Sequence, residues 1–464
     1  MMRRDLVIIG AGPAGMAAAS EAAGRGLSVS ILDEQPRAGG QIYRDVDRVA
    51  PLRGDILGPE YTHGTSLTAG LLQDAIDHIC GAVVWAIEEG FRISFTRDGS
   101  GAQIDADRIL LATGALERPM PLPGWTLPGV MTAGAGQILL KQSGVVARHA
   151  ILVGSGPLLY LIAAQMVRAG TPPTAMIETQ TRGNMIHAAR HLGGALRGWR
   201  YLVKGARMLA EITRARVPRY TGATGISIEG TDKARAVCFT SKGCTHRIPC
   251  DTVMLHHGVV PNTQAARSMG VKHTWETTQN CFIPQTDDWF QSGIEGVFIA
   301  GDGAGIGGAK AAEFAGRLAA LQIACQTGHL PQADRDQSAT MLHRQLAYEK
   351  AARPFLDAAY PPCTEALLPE DKTVICRCEE VTAGDIRRFA KLGCIGPNQT
   401  KAFGRAGMGP CQGRYCGLSV TALLAQANDQ TPDETGYYRI RPPLKPVTLG
   451  ELAAMNDSTL DATE

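Results

Sequence analysis

The stretch Asp5-Leu-Val-Ile-Ile-Gly10-Ala-Gly12-Pro-Ala-Gly15-Met-Ala-Ala-Ala leaves the chain few ways to fold. A short apolar run reads as a buried strand, the glycines as a tight turn, and the alanines as a closely packed helix. Gly10 makes the turn, Gly12 lets backbone approach a pyrophosphate, and Gly15 lets the helix lie close to the strand. The helix N-terminus offers free N–H groups and partial positive charge to the phosphates. Alone such a motif is a weak sign, but here its context supports it. A second strand, Ser28-Val-Ser-Ile-Leu32, ends in Asp33-Glu34, about 20 residues on, where a carboxylate would accept ribose hydroxyls. Counting forward from Gly10 favours Asp33, whereas counting back from Gly39-Gly40 favours Glu34, so both remain candidates.

A second strand–turn–helix follows at His149-Ala-Ile-Leu-Val-Gly154-Ser-Gly156-Pro-Leu-Leu159, with Glu178 ending the next strand as its ribose acid. The third glycine position is Leu159, whose side chain would hold helix and strand apart. Three outcomes stay open for Gly154, Gly156 and Glu178: NAD(H), another adenine nucleotide, or no ligand.

Near the end of the chain stand Cys376-Arg-Cys378 and Cys411-Gln-Gly-Arg-Tyr-Cys416. Two tight cysteine pairs point to a metal centre, and the surrounding glycines let backbone N–H groups turn toward sulfur. An iron–sulfur cluster ranks first. Structural zinc favours Cys-x2-4-Cys at both ends, and paired disulfides need an oxidising compartment. The apolar run Leu6-Val-Ile-Ile9 is too short for a signal peptide, so a reduced, cytoplasmic protein is expected. The other eight cysteines form no Cys-x-x-Cys pair. With 46 basic against 44 acidic residues, nothing predicts nucleic-acid binding, and no apolar run reaches transmembrane length.

Elsewhere the readings are blander. Asn184 to Val217 is basic and helical, a packed surface or a partner contact. Strand alternation predicts one of His256-His257 buried and the other exposed. Proline-rich 331–375 reads as a partly helical linker, with a helix from Gln337 to Ala352. In 376–430, Thr382 caps a helix running from Ile386, and a second helix leaves the Cys416 loop at Leu418. The tail 431–464, with Tyr437-Tyr-Arg-Ile-Arg-Pro-Pro, reads as an extended strap.

Glu34-Gln-Pro-Arg-Ala-Gly-Gly-Gln-Ile-Tyr43, Leu110-Leu-Ala-Thr113-Gly114-Ala, Gly258-Val-Val-Pro-Asn-Thr263 and Gly296-Val-Phe-Ile-Ala-Gly301-Asp302 resemble the motifs of two-dinucleotide-domain flavoprotein reductases. That resemblance implies FAD on 1–115 and 264–330, held by Gly10, Gly12, Ala14, Gly15, Asp33 or Glu34, Gly40, Gln41, Val84, Thr113, Gly114, Gly301 and Asp302. It also implies a helix starting near Gly307 that aims its N-terminus at the flavin; Lys310 in its first turn either assists there or is a solvated lysine. Residues 116–263 become a second, NAD-like domain. The expected fold class is α/β, with two Rossmann-like domains and a small helical [2Fe–2S] domain.

Thr113-Gly-Ala-Leu-Glu-Arg-Pro119, Pro123-Gly-Trp-Thr-Leu-Pro-Gly-Val-Met131, Cys376-Arg-Cys-Glu-Glu380 and Gly396-Pro-Asn-Gln-Thr-Lys401 narrow the likeness. Together they resemble the α (A) subunits of bacterial opine oxidase/dehydrogenase and their hydroxyproline dehydrogenase, proline dehydrogenase and hydrogen cyanide synthase relatives. The resemblance implies an electron-transferring subunit of a heteromeric, dye-linked amino- or imino-acid dehydrogenase. It would work with an electron acceptor, a small iron–sulfur γ subunit, and a flavin-containing β subunit resembling amino-acid oxidases. Its cluster ligands would be Cys376, Cys378, Cys411 and Cys416. The competing expectation is a self-contained NAD(P)H-dependent reductase of a carrier protein. No Cys-x-x-Cys stands beside the flavin motifs, which excludes disulfide reduction of the thioredoxin-reductase kind.

Overall fold

The computed structural model describes residues 3–460. The apolar run of the first motif becomes the strand Arg3–Ile9 at the centre of a seven-stranded sheet. It lies parallel between Val29–Asp33 and the long strand Ser100–Leu111. Ile76–Cys80 continues the parallel part beyond Val29–Asp33, while Arg92–Arg97 and Val83–Ile87 add an antiparallel meander beyond Ser100–Leu111. Leu6, Val7, Ile8 and Ile9 are all buried, as a strand covered on both faces requires.

The chain then leaves this sheet and returns. Val297–Ile299 pairs parallel with Ile109–Leu111, and the helix Ala309–Gln326 packs along Pro13–Ala23. They come close at Ala14: a Cβ on Gly316 would stand 2.1 Å from the Ala14 carbonyl oxygen.

Between departure and return lies a second sheet of five parallel strands. Its order is Arg219–Thr221, Ala175–Glu178, Ala150–Gly154, Thr252–His256 and Val130–Thr132. A two-stranded ribbon, Ala115–Glu117 against Val259–Pro261, carries the chain out and back. The mixed α/β architecture expected from the motifs is therefore present.

In 331–375 the structure has helices at Gln332–Lys350, Arg353–Ala359 and Thr364–Leu367. The first begins five residues before the expected start at Gln337 and ends two before Ala352. The cysteine region has three helices, Ala383–Lys391, Pro397–Gly404 and Gly417–Asn428, where two were expected. Thr382 and Asp385 form the capping box that opens the first. Ile386, Phe389, Leu423 and Leu424 share one core with Val7, Leu32, Ile109 and Ile299, so this region packs directly onto the first sheet. Among the described residues no helix is long and apolar enough to cross a membrane.

Candidate cofactor cradles and thiol cluster

At the first turn, Gly10 has φ +107°, and a Cβ there would stand 2.5 Å from the Ala112 carbonyl oxygen. Only glycine fits. Gly12 differs: a Cβ would meet nothing nearer than Gly40 Cα at 3.9 Å. The space before it is clear, and the helix Pro13–Ala23 has no side-chain cap on its N-terminal N–H groups. An open approach with uncapped donors fits a pyrophosphate. Gly15 packs against the Gly10 carbonyl. Thr113 donates to the Asn262 carbonyl (3.1 Å), and the Gly114 carbonyl accepts from Asn262 N (2.9 Å). Val84 lies in the meander opposite Phe95. Gly301 packs on Ala14, and Asp302 Oδ1 accepts from Gly307 N and Gly308 N at 2.9 Å each.

The two ribose candidates have separate roles. Asp33 takes backbone N–H groups on both oxygens, from Ala11 (2.6 Å) and Gln35 (2.7 Å). It braces the glycine turn, and burial pushes its carboxyl upward. Glu34 faces outward to Lys445 of the tail (2.7 Å). Burial opposes its ionisation, yet Lys445, Arg414 and Arg44 together hold its carboxyl below the usual range. Arg44 was missed in the sequence. It is buried, its Nε has no hydrogen-bond partner, and it faces Asp33 and Glu34. Its position just after Gly39-Gly-Gln-Ile-Tyr43 was the available signal.

Lys310 is not simply solvated. It contacts His63 and pairs with Glu313 (3.1 Å), which also accepts from Tyr43 (3.1 Å). The Gln41 loop is tied down by Lys141, buried in the helix Ala133–Ser143, which donates to Gln41 O (3.0 Å) and Ile42 O (2.9 Å). Burial, with Arg44 adding to it, holds the Lys141 pKa down to about 7, against about 10.4 in an unfolded chain. Between those values the unfolded state binds the extra proton, so this group makes stability rise as pH climbs from neutrality toward 10. Lys141→Met should remove that part of the rise, checked by denaturant midpoints of both proteins across the window.

The second turn is filled by the chain itself. Ser155 donates to the Pro361 carbonyl (3.2 Å), and Tyr360 sets its ring edge-on to Tyr160 at 5.9 Å. Cys363 N donates to His257 Nδ1 (3.2 Å). Gly154 (φ +129°) and Gly156 (φ +116°) make the turn, and Leu159 is fully buried. Glu178, expected to face a ribose, is 0% exposed. Its oxygens are taken by Arg219 (2.6 and 2.9 Å), Tyr160 (2.7 Å) and Gln180. That expectation is corrected: no face of this carboxylate is left for a ligand. The histidine expectation also fails, since His256 (3% exposed) and His257 (1%) are both buried. His256 Nδ1 pairs with Glu117 (2.6 Å), and His257 Nε2 contacts the Pro119 carbonyl (2.7 Å). Strand alternation stops applying there because the chain leaves the sheet after His256.

All twelve cysteines are free. The four in question are brought together as two pairs. Cys378 and Cys411 have their sulfurs 3.7 Å apart, and Cys376 is hydrogen-bonded to Cys416. Cys376 also receives backbone N–H groups from Gly407, Glu379 and Cys378, and its thiol is lowered to about 6, chiefly by Cys416. Among the described residues no group of three or more His, Cys, Asp or Glu side chains forms a site for a single metal ion. Two thiol pairs with N–H groups aimed at sulfur do fit a two-iron centre, which takes four thiolates.

Residues 4–328 match the model of the pyridine nucleotide-disulphide oxidoreductase family, and residues 370–456 match the sarcosine oxidase A3 domain. The chain belongs to that oxidoreductase family. Within it, the chain is 42% identical over 461 residues to the A subunit of opine oxidase from Rhizobium meliloti, covering 97% of this chain and 87% of that one. It is 33% identical over 470 residues to the HcnB subunit of hydrogen cyanide synthase from Pseudomonas protegens, covering 96% and 97%. Its fold resembles that of L-proline dehydrogenase from P. horikoshii, with TM-score 0.72 at 18% identity, over 97% of this chain and 79% of that one.

Proposed function

We propose that this chain is the electron-transferring subunit of a heteromeric, dye-linked dehydrogenase for an amino or imino acid of the opine, hydroxyproline or proline type. FAD would lie on 1–115 and 264–330 and a [2Fe–2S] cluster in 376–430. Residues 116–263 would be the second, nucleotide-type domain, 331–375 the linker and 431–464 the tail. The observation that carries the reading is the placement of the thiol pairs beside the first cradle. Gln264 Nε2 reaches the carbonyl of Gln412, next to Cys411 (3.4 Å), and Asn262 two residues earlier bonds Thr113 and Gly114. Bound FAD takes electrons in pairs, and a [2Fe–2S] centre passes them singly.

Within this reading Gly12 and the helix Pro13–Ala23 hold the pyrophosphate. Glu34, with Arg44 beside it and Lys445 as its present partner, is the carboxylate left for the ribose, Asp33 being taken up by backbone amides. Thr113, Gly114 and Asp302 line the path toward the flavin ring. Cys376, Cys378, Cys411 and Cys416 hold the cluster; zinc would draw all four around one ion, and paired thiols suit two irons better. Free thiols throughout support a reducing compartment, the cytoplasm. Relatives named as subunits support a partner. Here it would be a flavin-containing β subunit resembling amino-acid oxidases, joined by a small iron–sulfur γ subunit.

The competing reading, an NAD(P)H-dependent reductase, is opposed by Tyr360, Pro361 and Cys363 lying across the second turn and by the engaged Glu178. Anaerobic NADH or NADPH is expected to leave the flavin of the purified chain oxidised over a turnover time. Rapid bleaching would make the second turn a working nicotinamide site and overturn the proposal.

A further inference from the structure

We propose that Tyr438, from the C-terminal tail, sets the reduction potential of the cluster by donating its hydroxyl to the Cys416 sulfur, with Lys401 on its ring adding to the effect. The inference rests on the reading of the four cysteines as ligands of a [2Fe–2S] centre.

The tail strap expected from the sequence crosses the cysteine region and is anchored on either side of Tyr438, first by Thr421, whose hydroxyl donates to the Gly436 carbonyl (2.8 Å). Leu444 N donates to the Trp85 carbonyl (2.6 Å), its own carbonyl accepts from Arg414 (3.1 Å), and Lys445 pairs with Glu34. Between them the Tyr438 ring is driven into the glycine loop that carries Cys411 and Cys416. It is 1% exposed. A Cβ on Gly407 would stand 2.6 Å from the ring, and one on Gly413 would stand 2.3 Å from it. Those two glycines thus make room for an aromatic ring as well as for the loop's bends. The ring's position puts the hydroxyl 3.9 Å from Cys416 Sγ, within reach of a hydrogen bond to sulfur. On the ring itself lies Lys401 Nζ, 4.7 Å from the centroid.

Tyr437 next door does something else. Its hydroxyl donates to the Gly413 carbonyl (3.1 Å) beneath the Arg267 guanidinium. The two adjacent tyrosines therefore separate a sulfur donor from a backbone donor.

Reduction adds one negative charge to the cluster and its thiolates. A donor to sulfur and a nearby cation stabilise that charge and raise the potential. In a buried setting the effect is poorly screened.

The test is an anaerobic redox titration of the full-length chain, followed by the EPR signal of the reduced cluster and by iron content. Tyr438→Phe keeps the ring and removes only the hydroxyl. It is expected to retain iron and to shift the equilibrium about tenfold toward the oxidised form, which is 59 mV for a one-electron couple. Lys401→Gln should move the midpoint in the same direction, and Tyr437→Phe should leave it in place. An unmoved midpoint in Tyr438→Phe, or loss of its iron, would overturn the tuning role. A wild-type chain without a [2Fe–2S] signal would remove the cluster reading itself, so the two failures are distinct.

Discussion

A Gly12→Val chain should fold and purify without its flavin, whereas Gly10→Val should fail to fold. Both positions belong to the same turn, yet a side chain meets different surroundings at each. At Gly10 the added Cβ falls 2.5 Å from the Ala112 carbonyl oxygen in a backbone with φ +107°. A β-branched residue there combines conformational strain with a backbone clash, costing several kcal/mol against a typical total stability of about 5–15 kcal/mol. Gly12 has φ −79°, and its nearest obstacle is 3.9 Å from the would-be Cβ. The protein itself tolerates the substitution, but valine occupies the space left for the pyrophosphate. Loss of FAD affinity should exceed about 100-fold, roughly 3 kcal/mol. Flavin absorbance per chain and the thermal transition of each variant, measured together, check the pair. A flavin-replete Gly12→Val protein would show that the dinucleotide does not lie at this turn.

The second large effect concerns the thiols. Cys376→Ser and Cys416→Ser should each reduce iron from about two atoms per chain to near none, while the flavin is retained. Both residues are buried and belong to the same pair, so a hydroxyl at either would leave the proposed centre one thiolate short. Cys394 supplies the control. It is equally buried and stands outside both pairs, so Cys394→Ser should keep its iron. Iron analysis of the four proteins decides the matter. Zinc in place of iron in the wild type would return the site to a structural role.

Local patterns were readable where chemistry and backbone coincide. The strand Arg3–Ile9, its glycine turn and the helix after it follow from one run of residues, and so does the Thr382–Asp385 capping box. That the two cysteine pairs of the sequence would approach one another was legible because packing alone does not produce such spacing; the structure joins them as Cys378 with Cys411 and Cys376 with Cys416. What escaped the sequence depends on distant segments. Glu178 has the position of a ribose acid, but Arg219 and Tyr160 claim it through neighbouring strand and helix. Nothing local shows that Pro361 would cross the turn at Ser155, more than two hundred residues earlier. Asp33 and Glu34 looked equivalent because both end the same strand. Only the fold turns one toward the Ala11 amide and the other toward Lys445.

The return of Val297–Ile299 to the first sheet has a consequence for biosynthesis. Strand Ser100–Leu111 is translated long before the partner that covers Ile109–Leu111. At roughly 5–20 residues per second, a ribosome needs on the order of ten seconds or more to bridge that gap. Until then the nascent chain carries an open strand edge, a template for unwanted pairing. The helix Ala309–Gln326, which packs on Ala14, is also still missing. With FAD placed as proposed, flavin loading would be a late event in the life of this polypeptide. Slow emergence without chaperone cover should favour aggregates over apoprotein.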